Sequence, residues 1–580
     1  MKVSFFSQKS YIIITSGYFL TFLLSGTSSR AQVFAEKKYP QHYFSWPVQA
    51  PVGIVANFGE LRPNHFHMGL DCRTEKKQNL PVLAAANGYI AKIKIEPYGF
   101  GRAIYINHPN GLTTLYAHLN NFYPELERYV TEQQYKLKSW KVFLDIPANL
   151  FPVTQKQFIA FSGNTGGSQG PHVHFEIRDT KTDKVLNPLL FGFPIPDKVP
   201  PTLLRLALYD RQKSTFEQTP KLYALKKTGN YYTISPSLIP LNTNKISFAV
   251  SAVDKNSTSP NPNGIFEATL YDNENPVVGF QLDGISYDET RYLNAHIDYR
   301  LRTMGGPFVE HLSQLPGNTN GIYKEVSGDG VIDLTGDTSL HQIKIEVKDA
   351  AGNNAVIKFA VVNRSIAEKY QAAVSKKNEQ LLFQPGFVNI YESNSLRVYL
   401  PENSLYDSIR FTYAENNSNP AFPVYQLQNG NIPLHGYIPI SIKCSSANSE
   451  KIVMHRFWNG KHDYSATINE KGWYRASFRE FGNFQLMEDN IPPTITPAGF
   501  KDGMNCSKLS AIKFVVLDNT EEITKFTALL DGQWLRFTND KGRTFVYIFD
   551  DHCPPGEHEL IISVEDQVGN KTEKTYHFSK

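Results

Sequence analysis

Short apolar runs, separated by Gly, Asn and Pro, recur along almost the whole chain. Runs of about four to eight residues divided by turn formers are typical of strands in antiparallel sheets. Aromatic residues make up 13% of the 580 residues, and the 38 Gly and 35 Pro add frequent turns, which favours strands over long helices. At roughly 150 residues per domain, the length predicts about four domains. The sequence therefore predicts a mainly β protein of several domains.

The N-terminus has the parts of a secretory signal peptide. Two lysines precede a mostly apolar run at 11–24, and small residues stand two positions apart up to Ala31, as a signal peptidase requires. The run is shorter than the roughly 20 residues that span a bilayer, although an uncleaved anchor is the alternative. We expect residues 1–31 to be removed before Gln32. An exported protein without a transmembrane span follows, in the periplasm or cell envelope or outside the cell.

The charge of the chain gives little reason to expect a polyanionic partner. The formal net charge is +4, and the predicted signal peptide carries three of these charges, which leaves +1. So small a value does not suggest a nucleic-acid-binding protein or one attracted to anionic membranes. Export would expose the four cysteines to oxidising conditions, where Cys506 and Cys553 could pair; the connectivity stays open.

A weak repeat organises the chain after residue 196. Both copies open with Pro-Pro-Thr, contain a strand pattern that ends in Asp254 or Asp518, and close with a hairpin pattern around Asp349 or Asp566. The wider spacing in the first copy predicts an insertion near 288–335. One carboxylate at each hairpin favours ordinary turn chemistry over a calcium site. We predict two immunoglobulin-like β-sandwiches and, between them, a β-rich domain of unassigned fold, at 197–365, 491–580 and 366–490.

The region 32–196 differs from the rest because it contains seven of the 16 histidines. Its strand patterns are interrupted at 125–140 by a polar segment that is rich in helix formers and lacks Gly and Pro. We therefore predict a helical insertion, at about 122–156, between two strands of a small antiparallel sheet.

The strongest chemical signal is a set of histidines and one carboxylate. His172 and His174 lie two residues apart in a strand-like segment, so they share a face of the sheet. His67 and Asp71 would lie roughly 13 Å apart in a straight strand, so the chain must bend if both bind one ion, and Gly69 makes a bend inexpensive. Two imidazoles and one carboxylate suit zinc. Three protein ligands leave a fourth position for water, as in catalytic sites.

These motifs together resemble a known enzyme family. HMGLD at 67–71, YAHL around His118, a Gly-rich SGNTGGSQG segment and HVHFEIRD at 172–179 look like the LytM/lysostaphin-type zinc metallopeptidases of peptidase family M23. The similarity covers about residues 45–192 and implies a small antiparallel β-sheet domain with its site in a groove. It also implies one zinc ion per domain, bound by His67, Asp71 and His174.

The resemblance implies that His118 and His172 are the catalytic histidines beside the bound water, and which of them is the general base stays open. The expected protein is an exported zinc-dependent endopeptidase that hydrolyses peptide bonds of peptidoglycan stem peptides or cross-links. The alternative is a catalytically silent M23-fold protein that binds or activates other cell-wall hydrolases; the complete set of five side chains favours the enzyme.

Other parts of the chain are expected to support this activity. The helical insertion follows directly on the His118 motif, so we expect it to form one wall of the groove. The β domains would bind a partner protein of the cell envelope.

Three residues near these motifs have simpler interpretations. His65 is expected at the rim of the site rather than among the ligands. His108 lies in an Asn-His-Pro-Asn-Gly turn and is expected to be exposed. Cys72 follows Asp71 in an extended segment, so it should point to the opposite face as a buried thiol.

Overall fold

The computed structural model describes residues 33–35, 37–256, 261–364, 381–444 and 450–580. The predicted signal peptide at 1–31 lies outside these ranges. Strands predominate and helices are few, which confirms the prediction of a mainly β protein. In the described ranges, no helix has both the length and the apolar character needed to cross a bilayer.

The first part of the chain forms two sheets and one long helix. The elements are β1 (Ile54–Ala56), β2 (Leu61–Arg62), β3 (His65–Phe66), β4 (Leu70–Arg73), β5 (Pro81–Leu83), β6 (Gly88–Ile95), β7 (Arg102–Asn107), β8 (Leu112–Ala117), β9 (Leu119–Phe122), α1 (Pro124–Leu137), β10 (Val142–Asp145), β11 (Pro152–Val153), β12 (Phe158–Ser162), β13 (His172–Asp179) and β14 (Val185–Leu186).

The main sheet is antiparallel and has the strand order β1–β4–β13–β8–β7–β6–β10. A smaller sheet, β5–β12–β9, packs against it. The inward-facing positions of both sheets are apolar, and the side chains of Ile104, Tyr116, Ile159 and Phe175 are fully buried between them. This core holds the strands that carry the histidines.

The helix α1 lies within the segment where the sequence predicts one. It begins at Pro124, whose missing N–H costs nothing in the first turn, and ends before Lys138, which adopts the left-handed conformation. Its buried face carries Leu126 and Val130. The helix therefore packs on the domain through an apolar stripe.

The next part of the chain forms two further sheets with short helices between them. The hairpin predicted around Asp349 is present, as Leu340–Lys348 pairs antiparallel with Asn354–Asn363. The other principal elements are the strands Thr202–Asp210, Lys245–Val253, Glu267–Asp272 and Asn275–Gln281 and the helices Leu293–His296 and Tyr299–Thr303.

The remainder of the chain is also made of antiparallel sheets. The second predicted hairpin is formed by Glu557–Asp566 and Lys571–Ser579. The principal strands before it are Asn389–Glu392, Leu396–Leu400, Val424–Leu427, Pro433–Lys443, Ile452–Trp458, Lys461–Ala466, Trp473–Glu480, Gly482–Glu488, Thr494–Pro497, Ala511–Leu517, Ile523–Leu530 and Thr544–Ile548. All four cysteines are buried free thiols, so Cys506 and Cys553 do not pair and Cys72 is buried as expected.

The first two parts of the chain share a core. Phe66 and Met68 are buried in the same apolar cluster as strands of the 202–363 region. Their sheets are also joined, because β14 pairs antiparallel with Gly284–Ile285. The backbone N–H of Phe66 donates to Thr290 Oγ1 over 2.9 Å. His67 therefore lies in a seam that both parts of the chain hold in place.

Candidate metal centre

Strand register brings the predicted ligands together. β13 pairs antiparallel with β4 so that His174 lies directly opposite Asp71. On its other side, β13 pairs with β8, and His174 lies opposite Ala117. His118 follows immediately, with a φ of 60° that ends the strand. His174 thus has Asp71 on one side and the turn at His118 on the other.

The bend predicted between His67 and Asp71 is present, because β3 ends at Phe66 and β4 begins at Leu70. Gly69 lies in this bend, but its role is close packing rather than an unusual φ. A Cβ atom there would lie 2.5 Å from the carbonyl oxygen of Phe175 and 2.9 Å from the ring of His174. Only glycine allows the ring of His174 to approach the bend this closely.

Three ligand atoms converge at the seam. The distances are 2.9 Å from His67 Nε2 to Asp71 Oδ1, 3.0 Å from His67 Nε2 to His174 Nδ1, and 3.1 Å from His174 Nδ1 to Asp71 Oδ1. All three side chains are buried. Each imidazole has its second nitrogen engaged: His67 Nδ1 donates to the carbonyl oxygen of Asn57 over 2.7 Å, and His174 Nε2 donates to Glu176 over 2.9 Å.

This donor set fits a divalent cation. Metal binding takes the neutral form of both rings, in which the outer nitrogens donate and the two inner nitrogens offer lone pairs beside the carboxylate. Ligands about 2.0–2.2 Å from a tetrahedral zinc are roughly 3.4 Å apart, so the triangle needs an expansion of only about 0.4 Å. His67, Asp71 and His174 can therefore hold a metal ion.

Electrostatics agree with a cation-binding role. Although burial opposes ionisation, His67 and hydrogen bonds from the neighbouring imidazoles hold the pKa of Asp71 well below its usual range. Burial lowers the pKa of His174, but its hydrogen bonds with Asp71 and Glu176 outweigh burial and raise it to about 9. Burial lowers the pKa of His67, although Asp71 opposes this. Asp71 and Glu176 therefore favour positive charge at His174 only.

A second carboxylate, Glu176, orients His174 from behind and was not identified from the sequence. It is fully buried, and Arg178 Nε donates to it over 2.7 Å, which overcomes burial and lowers its pKa to about 2. The hydroxyl of Tyr287 donates to the same carboxylate over 2.5 Å. Partners of this kind fix the tautomer and the orientation of a metal-binding imidazole. The alternation of His174, Glu176 and Arg178 on one strand face is the signal that could have revealed it.

The two other predicted histidines line the same groove. His118 Nδ1 donates to the carbonyl oxygen of Thr165, and His172 Nδ1 donates to that of Gly170, each over 2.8 Å. Their rings are 4.8 Å apart between centroids, and His172 Nε2 lies 3.3 Å from Asp71 Oδ1. Burial, with smaller contributions from the neighbouring histidines, lowers the pKa of His118 to about 3. Both rings therefore have a fixed tautomer, with Nε2 left for chemistry.

The groove has a volume of about 1330 Å³, and His65 lies among its lining residues, as expected for the rim. The prediction that the helical insertion forms a wall is wrong, because no lining residue in the described part of the chain comes from 122–156. Arg302 and Phe308 line it instead, and they come from the short helical region of the second part of the chain.

The last part of the chain packs on the first and holds the Gly-rich loop. Asp540 Oδ1 accepts from the backbone N–H of Gly166 over 2.7 Å, and Lys541 Nζ donates to the carbonyl oxygen of Ser168 over 2.9 Å. The helix α1 joins this contact, since the ring of Tyr135 stacks on that of His552 at 3.7 Å. The C-terminal strands therefore hold the loop that precedes His172.

Comparison with known proteins agrees with the site. Residues 65–135 match the model of peptidase family M23. The resemblance to this family is therefore confirmed. We call the region of β1–β14, which contains this match, the M23 part. Outside it, residues 380–489, whose fold the sequence left unassigned, match a Zu5-like domain.

The curated relatives match only a short part of this chain. A DD-carboxypeptidase/endopeptidase Mpg of Neisseria meningitidis serogroup B is 33% identical over 131 residues, which is 23% of this chain and 24% of the relative. The cell division protein DipM of Caulobacter vibrioides is 29% identical over 141 residues, 24% of this chain and 19% of that protein. The chain thus spans about a quarter or less of the length of these relatives.

Among solved structures, the catalytic domain of lysostaphin from Staphylococcus simulans is 22% identical, with a TM-score of 0.18. The match covers 23% of this chain and 87% of that one.

Replacing Gly69 by Ala should damage the metal centre. The new Cβ would collide with the Phe175 carbonyl and the His174 ring, so we expect a loss of metal affinity and a destabilisation of about 1–3 kcal/mol. Metal titration and thermal unfolding measure both. Gly436→Ala is the control, because its Cβ would meet nothing within 4 Å. Unchanged metal affinity in Gly69→Ala would contradict the close packing described here.

Replacing Tyr287 by Phe should weaken metal binding without unfolding the protein. The change removes one donor that holds Glu176 behind His174, and partners of this kind contribute about tenfold or more to metal affinity. Competition with a chromophoric chelator measures the affinity. Tyr223→Phe is the matched control, since its buried hydroxyl has no partner in the structure. Equal affinities in the two variants would argue against the orienting role of Tyr287.

Proposed function

We propose that this protein is an exported zinc-dependent endopeptidase that hydrolyses peptide bonds of peptidoglycan stem peptides or cross-links. The M23 match and the endopeptidase name of the Neisseria relative support a peptidase function. The observation that carries the proposal is the convergence of His67, Asp71 and His174 in a groove that also contains His118 and His172. An extended groove of this size can take a peptide rather than a small metabolite.

Zinc held by the three ligands would supply a Lewis acid that polarises a carbonyl group and acidifies water. His67 and His174 would bind it through fixed nitrogens, because Asn57 and Glu176 hold the opposite side of each ring. Asp71 offers Oδ1 to the metal, and its Oδ2 accepts from Arg62 over 2.9 Å. The chain therefore supplies a rigid set of three ligands.

His118 presents a lone pair to the groove. Its lowered pKa keeps it neutral near pH 7, and its Nδ1–H is committed to Thr165, so Nε2 carries a lone pair in the groove. His172 is less buried, and its Nε2 lies 3.3 Å from Asp71 Oδ1 at the edge of the ligand set. We assign His118 as general base and His172, the more exposed ring, as the second catalytic histidine.

The location and partners follow from this substrate. Peptidoglycan lies outside the cytoplasmic membrane, so the protein would act in the periplasm or cell envelope. The Zu5-like part and the β-rich repeats would bind an envelope protein that places the enzyme at the wall.

Two classes of variant test the proposal. Replacing His118 or His172 by Ala should leave zinc binding intact and lower hydrolysis of purified peptidoglycan peptides about 10²–10⁴-fold. His67→Ala should abolish both zinc binding and hydrolysis, while His577→Ala, at an exposed histidine far along the chain, should change neither. Fragment masses from defined muropeptides identify the bond. A zinc-loaded protein that cleaves none of them would instead support the silent binding or activator protein.

The contact from the C-terminal strands should affect turnover more than metal binding. Asp540→Ala removes the acceptor of the Gly166 N–H, so the loop before His172 loses a charged hydrogen bond. We expect a several-fold fall in kcat with unchanged zinc affinity. Asp551→Ala, at an exposed position of the same region, is the control. If kcat is equal in both variants, the hydrogen bond between Asp540 and Gly166 has no role in catalysis.

A further inference from the structure

Away from the metal centre, each of the two repeats brings three carboxylates to one point. In each triad, an oxygen of every carboxylate lies within 4.8 Å of the others. The sequence suggested one carboxylate per hairpin turn, and the structure corrects this, because two further aspartates from distant segments join each turn. The triads are Asp197, Asp254 and Asp349 in the first repeat and Asp489, Asp518 and Asp566 in the second.

The two triads are built in the same way. The first aspartate of each lies three residues before the Pro-Pro-Thr of its repeat, and the second follows the end of a strand, Lys245–Val253 or Ala511–Leu517. The third lies in the closing hairpin and accepts from an asparagine four residues later over 2.7 Å in both repeats. The recurrence of one arrangement in two places means that it is a property of the repeat.

Beside the first triad, a neutral oxygen ligand is also left without a partner. Asn263 is 5% exposed, and its Oδ1 has no hydrogen-bond partner in the structure. Two backbone hydrogen bonds of 3.0 and 2.8 Å place it directly opposite Asp254, whose Oδ1 is also unpartnered. Both residues and Asp197 line one cavity of about 60 Å³. Buried oxygens without donors are costly, so their concentration around one cavity points to a bound cation.

The second triad also contains carboxylate oxygens that lack hydrogen-bond donors among the described residues. Asp489 is 1% exposed, and its Oδ2 has no hydrogen-bond partner among the described residues, although its Oδ1 accepts from Asn519 over 3.0 Å. Asp518 Oδ1 is unpartnered too. An isolated buried carboxylate normally has several donors or a metal. Both triads therefore present carboxylate oxygens that the described protein atoms leave unsatisfied.

We propose that each triad binds one calcium ion. All the ligand atoms are oxygens. This suits a hard cation such as calcium better than zinc, which prefers nitrogen and sulfur ligands. The negative charge of three carboxylates exceeds the positive charge of one divalent ion. In the first site, the amide oxygen of Asn263 adds a neutral ligand. Calcium takes six to eight oxygens in flexible geometry, with water completing the shell, whereas magnesium demands a near-ideal octahedron.

The first site lies where the repeat meets the M23 part. Ile54 and Phe193 line the same cavity from the M23 side. Gly264, next to Asn263, exchanges two hydrogen bonds with the side chain of Asn57, and the backbone carbonyl of Asn57 holds His67. A calcium ion there would fix the segment that joins the repeat to the groove.

Calcium binding to the full-length protein tests the proposal. After treatment with chelator and reloading with one equivalent of zinc, equilibrium dialysis against Ca²⁺ should find two ions per chain, and the thermal unfolding midpoint should rise with Ca²⁺ concentration. Asp254→Asn and Asp566→Asn should each lose one ion. Glu325→Gln, at an exposed strand position of the first repeat, should retain both.

Other outcomes decide against it. Absence of bound calcium at millimolar concentration, or two ions retained in both aspartate variants, would overturn the assignment. An equal rise of the unfolding midpoint with Mg²⁺ at the same concentration would overturn the choice of calcium. If one ion binds and only Asp254→Asn abolishes it, the first site stands and the second is refuted. Because a change from Asp to Asn can itself alter the stability of the calcium-free protein, the bound-ion count is the deciding readout.

Discussion

The antiparallel register between β4 and β13 is the constraint on which the metal centre depends. It sets His174 opposite Asp71, and the two-residue period of a strand then places Glu176 behind His174 and His172 beside it. A shift of one residue would turn every one of these side chains to the other face. The apolar core on the opposite face, with Val173 and Phe175 fully buried, prevents that shift. Burial of hydrophobic residues thus fixes the positions of the polar ones.

The rest of the chain reinforces this arrangement from outside the M23 part. The second part buries the residues on either side of His67 and supplies the Tyr287 hydroxyl behind His174. The last part holds the Gly-rich loop through Asp540. One wall of the groove comes from this second part of the chain, where Arg302 and Phe308 present charge and aromatic surface to it.

Much of the site could be predicted from the sequence because its ligands obey local rules. The alternation in HVHFEIRD and the bend at Gly69 are visible in a short stretch of residues. Long-range packing could not be predicted. His108 was expected in an exposed turn but is buried, with Thr114 and the carbonyl oxygen of Asn87 as partners. The wrong placement of the helical insertion has the same cause, since Arg536, which donates a hydrogen bond to Gln134 of the insertion, is more than 400 residues away.

The most direct test of the account is zinc K-edge X-ray absorption on the purified protein loaded with one equivalent of zinc. The account predicts a four-coordinate ion with two imidazole nitrogens and two oxygens at about 2.0–2.2 Å, the oxygens coming from Asp71 and water. A sulfur ligand at about 2.3 Å, or fewer than two imidazoles, would contradict it.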